Sequence, residues 1–281
     1  MRALHAAYRV RGVLLAIGVP LLVAIAVTAP FEFPAGVERA RGVLGTLGVG
    51  LFAAALILAA LGARLLPERT PIVVRPPVSG RWLALNSPAS QVPSHGVRAY
   101  GQAYAIDLVA VPDDAERPPF GAGGAWRSSA DYPAFGAPVH AMIDGVVVAA
   151  SDWRRDHRAR SSMISVLYMM VVEGSIRELG GPGFVIGNHV IIRGDDGVFA
   201  LVAHLKQGSA AVTVGERVEA GQVVGLCGNS GNSSEPHVHA QLMDRANPLV
   251  AQGLPMRFAD IRVDDENLAE GMPANGERLH A

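Results

Sequence analysis

Two uncharged apolar stretches, Gly12 to Ala29 and Val43 to Ala63, set the first limit on what this chain can fold into. Each is close to the roughly 20 residues that a helix needs to cross a bilayer. Pro20 inside the first is tolerable in such a helix. Joined by Pro30 to Gly42, the stretches predict a transmembrane helical hairpin with spans at 12–29 and 43–63, within a membrane anchor covering residues 1–66. The competing reading of the first stretch is a cleaved leader, with Ala24-Ile25-Ala26 as its signal. The equally apolar segment that follows so soon favours the hairpin. Gly50 and Ala54 offer a small-x-x-x-small contact for helix pairing.

Arginines flank both stretches: Arg2, Arg9 and Arg11 before the first, Arg39 and Arg41 between them, and Arg64, Arg69 and Arg75 after the second. By the positive-inside rule, this distribution predicts cytoplasmic ends. The formal net charge of −1 leaves no basic footprint for nucleic acid. Cys227 is the only cysteine, so neither an internal disulfide nor a cysteine-rich metal site can form, and its apolar surroundings predict a small buried core residue.

Beyond residue 66 the pattern changes. Residues 67–80, rich in Pro and Arg, predict a short extended linker. Short strand-like runs then follow at Tyr104 to Val109, Gly145 to Ala150, His189 to Arg193, Ala200 to His204, Gln222 to Leu226 and His237 to Met243, separated by turn formers. With 32 Gly in the chain, this predicts a mostly β domain at 81–258, an antiparallel sheet or sandwich. Asp144-Gly145 reads as a hairpin turn. Two insertions interrupt the domain, at 112–135 and 155–182. The first predicts an exposed loop edging a groove. The second contains Met163 to Val172, too short to span a bilayer, and predicts a buried core helix in preference to an interfacial segment or a lid. Residues 259–281, polar and partly acidic, predict a disordered tail.

The chemistry concentrates in histidines. In Pro236-His237-Val238-His239, residues i and i+2 of a strand point to one face, so both imidazoles enter one groove. Upstream stand His95, Asp107 at the end of a strand-like run, and His204 at the end of another. Two histidines and one carboxylate form a set suited to zinc, whose catalytic sites leave a fourth tetrahedral position to water. Two further histidines are then free for proton transfer. His140, His157 and His189 read as structural, and Asp144 and Asp152 are less suited as ligands.

These residues, with Pro138-Val139-His140-Ala141, Asp144-Gly145-Val146-Val147, Ala203-His204-Leu205 and Val214 to Gln222, resemble in their order the M23 peptidases, the lysostaphin-like or LytM-like zinc endopeptidases of bacterial cell walls. The resemblance covers roughly Arg81 to Asp244. It implies that His95, Asp107 and His239 ligate one zinc ion and that His204 and His237 surround the attacking water and the oxyanion. It also implies a central antiparallel sheet with the groove across one face, peptidoglycan peptides as substrate, and a domain facing outwards, against the arginine distribution. One departure stands out: the ligand His and Asp usually sit four residues apart, whereas eleven residues separate His95 from Asp107. Two other classes compete. A non-catalytic wall-binding or hydrolase-activating relative is expected to have lost ligands, and none is evidently lost. A histidine phosphocarrier-like domain, suggested by Val214 to Gly225, has no need of His95 and Asp107.

Overall fold

The computed structural model describes residues 2–62 and 69–281, which fall into two compact units dividing at residue 68. The first holds two helices, Arg2–Thr28 and Ala35–Gly62. Both extend beyond the apolar stretches because the arginine-bearing segments continue the helix. Both are long and apolar enough to cross a membrane. Val10, Ile17, Val23 and Val27 on the first, and Leu44, Leu47, Val49 and Leu56 on the second, are exposed within this chain. Helices apolar all round belong inside a large core or a membrane.

The helices cross at glycines other than the Gly50 of the sequence reading. A Cβ on Gly18 would lie 3.2 Å from the Gly48 carbonyl oxygen, and a Cβ on Gly48 would lie 3.2 Å from Leu22. Gly50 has open space around it, so the close approach runs through Gly18 and Gly48. Arg41 closes the connection. Its guanidinium donates to the carbonyls of Thr28 (2.9 Å), which ends the first helix, and of Phe31 (3.1 Å) in the connection.

The second unit is mostly β. Its main sheet has twelve strands among the described residues, all pairings antiparallel except that of Ile72–Val74 with Met256–Val263. At its centre Arg81–Leu85, Ile106–Ala110, Val238–Met243, Phe199–Leu205, Asn188–Arg193 and Gly145–Ser151 lie side by side in that order. The three strands in the middle are buried on both faces, and alternation of side chains divides the two faces by chemistry. One face carries Ile106, Leu108, Val202, Val238, Ala240 and Leu242 into the main core. Burying each of its larger aliphatic side chains stabilises the fold by about 1.5–3 kcal/mol. The opposite face carries Asp107, His239 and Gln241, beside a smaller apolar cluster of Leu201, Ala203 and Met243.

Three expectations need correction. Residues 259–281 are not a disordered tail: Met256–Val263, Glu266–Gly271 and Arg278–His280 are strands of the main sheet, and the last pairs with Arg81–Leu85. Leu279 is fully buried, so one apolar side chain in a polar segment anchors the strand. Asp144-Gly145 does not turn a two-stranded hairpin, because the strands it joins pair with different partners. Asp144 instead accepts from the Ala220 amide (2.6 Å), and a Cβ on Gly145 would lie 2.2 Å from the Arg193 carbonyl oxygen. The second insertion is helical, at Met163–Tyr168, a π turn at Met169–Glu173, and Gly174–Leu179. Apart from the buried Met169, however, its large apolar residues mostly face away from the core.

Candidate active site

Asp107 lies at the middle of the site because of strand register. It pairs directly with His239 across Ile106–Ala110 and Val238–Met243, and with Leu85 on its other side. Directly opposed residues of antiparallel strands share a face. His239 Nδ1 reaches Asp107 Oδ1 at 2.9 Å, and His95 Nε2 reaches Asp107 Oδ2 at 3.0 Å. Asn86, turned back at φ +46°, donates its Nδ2 to Asp107 Oδ2 (2.7 Å).

The eleven residues between His95 and Asp107 are taken up locally. Ala99–Tyr104 forms a short helical segment whose carbonyls hold the His95 loop: the Ser94 amide donates to Ala103 O (3.0 Å) and the Ser94 hydroxyl to Gln102 O (3.2 Å). The longer spacing thus still delivers His95 to Asp107.

His204 enters by a different device. The pairing of Asn188–Arg193 with Phe199–Leu205 slips between Asn188 and His189, so that His204 is the extra residue of a bulge. It adopts φ +60°, a conformation uncommon for a residue with a side chain. The bulge aims the His204 ring at those of His237 and His239, at centroid distances of 4.7 and 5.8 Å. Strain of this kind gathers at functional sites.

The hydrogen bonds fix which nitrogen of each ring carries the proton. His204 Nδ1–H donates to Ser230 O (2.8 Å) and His237 Nδ1–H to Glu235 O (2.8 Å), leaving both Nε2 atoms as bases. The His237 Nε2 stands 3.5 Å from Asp107 Oδ1. The Ser94 hydroxyl spends its own proton on Gln102 O and so accepts from His95 Nδ1–H (3.0 Å), which leaves the His95 Nε2 lone pair facing Asp107. Gln241 settles His239: its Nε2 donates to Tyr100 O (2.8 Å), so its Oε1 must accept from His239 Nε2–H (2.8 Å), and the Nδ1 lone pair faces inwards.

Burial alone would push the Asp107 carboxyl up, but His237 and His95 beside it hold it well below the usual carboxylate range. Burial holds His204 well below an ordinary histidine, reinforced by His237 and His239. Burial also opposes charge on His237, but Asp107 outweighs it and raises this imidazole. The two rings thus differ in basicity.

The ligand-capable atoms of His95, Asp107 and His239 all lie within 4.8 Å of one another. Two imidazole lone pairs and a carboxylate converging on one point form a donor set that fits zinc. Orientation of each ligand by an outer partner, here Ser94, Asn86 and Gln241, is typical of metal sites. His140, His157 and His189 hydrogen-bond to the carbonyls of Gly221, Gly231 and Gly187 and stand apart from this cluster. Burial lowers the pKa of His157 and His189. Cys227 is buried, and burial pushes its thiol up.

Sequence reasoning missed Asn86, Gln241 and Tyr100. Gln241 carried a signal, since it stands two residues beyond His239 on the same strand face as the two histidines.

Residues 128–250 match the model of peptidase family M23. Over that segment, less than half of its length, the chain is similar to that family. The matched segment contains His204, His237 and His239, while His95 and Asp107 lie before it. The glycyl-glycine endopeptidase ALE-1 of Staphylococcus capitis is 38% identical over 74 residues, which cover 26% of this chain and 20% of that protein. The chain thus matches about a fifth of the length of that curated relative. Among solved structures, the catalytic domain of lysostaphin from Staphylococcus simulans is 22% identical, with a TM-score of 0.32, over 53% of this chain and 74% of that one. A catalytic-domain mutant of the prophage-encoded M23 protein EnpA from Enterococcus faecalis is also 22% identical, with a TM-score of 0.35, over 64% of this chain and 93% of that one.

Proposed function

We propose that this chain is a membrane-anchored zinc endopeptidase that hydrolyses peptide bonds of bacterial peptidoglycan, with its β domain facing outwards. His95 Nε2, Asp107 and His239 Nδ1 would hold the zinc ion. The observation that carries the reading is the tautomer pattern: four imidazoles around one carboxylate, each with its far nitrogen tied to a protein acceptor and its near nitrogen open towards the site.

When bound there, zinc would supply Lewis acidity, making water nucleophilic near neutral pH and polarising a peptide carbonyl. Hydrolysis also requires a proton to leave the attacking water and another to reach the departing amine. Neutral His204 and His237 both present an unprotonated Nε2, so either can accept the first. Once protonated, the other ring can stabilise negative charge at the carbonyl oxygen or protonate the departing amine. Ser230 O and Glu235 O keep each ring from rotating while its Nε2 gains and loses the proton.

The groove walls come from the loops beside these residues. Arg117, in the first insertion, pairs with Glu235 two residues before His237, through Nε to Oε2 at 2.9 Å and a second bond from Nη2. This clamp supports the insertion as an edge of the substrate groove.

The test is release of soluble peptides from purified peptidoglycan by the zinc-loaded full chain in detergent, with His237→Ala as control. Release by the native chain alone supports the proposal, and fragment masses name the bond. No release by zinc-loaded native chain would count against it.

A further inference from the structure

The helical insertion at 163–179 is inside out. Its charged residues Glu173 and Arg177 turn inwards: Glu173 accepts from Arg160 (2.6 and 2.7 Å) and Arg177 (2.8 Å), and Arg177 donates to Asn232 (3.1 Å). Most of its apolar residues turn outwards, Met169 alone among the large ones being buried. Met163, Leu167, Met170, Val171, Ile176 and Leu179 are exposed, and Ile164 is 81% exposed. Glu178 is the one charged residue on that outer face, and it accepts from the Tyr100 hydroxyl. A helix docked on a soluble domain shows the opposite arrangement, and an apolar face of this extent marks an interaction surface.

The rim of the patch indicates what covers it. Trp126 packs edge-on to Tyr168 at 5.9 Å, and Trp153 to Phe184 at 6.2 Å, and all four rings are exposed. Arg154 lies over both Trp153 and Phe184, and Arg155 and Arg158 in the same loop are exposed. Apolar helix, aromatic rim and neighbouring arginines make up the chemistry of segments that lie in the headgroup region of a bilayer.

We propose that the 163–184 insertion is a second membrane contact, which lays its apolar face into the interface of an anionic phospholipid bilayer. This inference rests on the membrane-anchored reading. The insertion is also tied to the site. The Asn232 amide donates to Val185 O (2.7 Å), and Asn232 lies in the loop whose Ser230 carbonyl orients His204. Docking therefore holds the groove at the lipid surface.

The chain has three tryptophans, and none lies in the two N-terminal helices. Trp82 is buried, leaving Trp126 and Trp153 as reporters. The test places the full chain in nanodiscs of phosphatidylglycerol and phosphatidylcholine, with and without bromine on the acyl chains, and measures tryptophan emission. Quenching of roughly half the emission is expected, falling to near none in Trp126→Phe/Trp153→Phe and in Ile164→Glu/Leu167→Glu/Val171→Glu, with circular dichroism unchanged. A chain that co-elutes with the discs but is not quenched overturns the second contact while the anchor stands. Quenching that survives the triple glutamate variant overturns the assignment to this face. A chain that does not co-elute overturns both. Unquenched discs that hold two chains would overturn lipid as the occupant in favour of a second copy.

Discussion

Gln241 offers the sharpest test of the site's construction. It is 2% exposed, accepts from His239 Nε2–H at 2.8 Å and donates to Tyr100 O at 2.8 Å. Gln241→Leu keeps the volume and removes both bonds, so no cavity forms and packing changes little. The cost has two parts. The His239 ring loses the partner that keeps Nδ1 unprotonated and aimed at Asp107, and losses of this kind weaken metal binding by about 10–100-fold, or about 1.4–2.7 kcal/mol. Separately, the buried His239 N–H is left unpaired, at about 1–3 kcal/mol of stability, and the half-buried Tyr100 C=O loses its partner at a smaller cost. The assay is competition for zinc between the full chain in detergent and a chromogenic chelator, with a thermal melt on the same sample. Gln241→Glu keeps an acceptor for His239 and should fall between native and Gln241→Leu. Zinc affinity of Gln241→Leu within about twofold of native, in a folded chain, would refute the role assigned to Gln241.

Three further outcomes follow from the fold. Deleting residues 265–281 removes the strand between Arg81–Leu85 and Met256–Val263 and the buried Leu279, and should lower stability by more than the roughly 1.5–3 kcal/mol of that one side chain; an unchanged melt would show that the tail contributes nothing. Gly145→Ala drives a Cβ into the Arg193 carbonyl and should cost at least about 1–3 kcal/mol in chemical denaturation, whereas Gly80→Ala, with open space but φ +83°, should cost less. Arg117→Ala leaves half-buried Glu235 unpaired beside His237 and should lower peptidoglycan hydrolysis more than zinc affinity; equal loss of both would place the clamp in the metal site.

The legible parts of this protein were those governed by short-range rules. The i, i+2 rule placed His237 and His239 on one face, and span length marked the two helices. Long-range partners stayed hidden: Asn86, Tyr100 and the carbonyl of Ser230 reach Asp107, Gln241 and His204 across 21, 141 and 26 residues. The bulge that turns His204 inwards depends on the slip opposite Asn188, which no local pattern at His204 reveals. The second insertion misled because periodicity identifies an apolar face without saying whether that face meets core or surroundings. The tail misled because its composition is polar, although strand pairing needs only a few buried side chains such as Leu279 and Ile261.

The division of labour among the five residues is the central claim, and zinc content measured beside peptidoglycan hydrolysis on one variant set tests it most directly. The account expects one zinc per native chain, its loss in Asp107→Ala and His239→Ala, and its retention in His204→Ala and His237→Ala with hydrolysis down by about 10²–10⁴-fold. Zinc lost equally from all four variants, or hydrolysis that survives without His204 and His237, would contradict it.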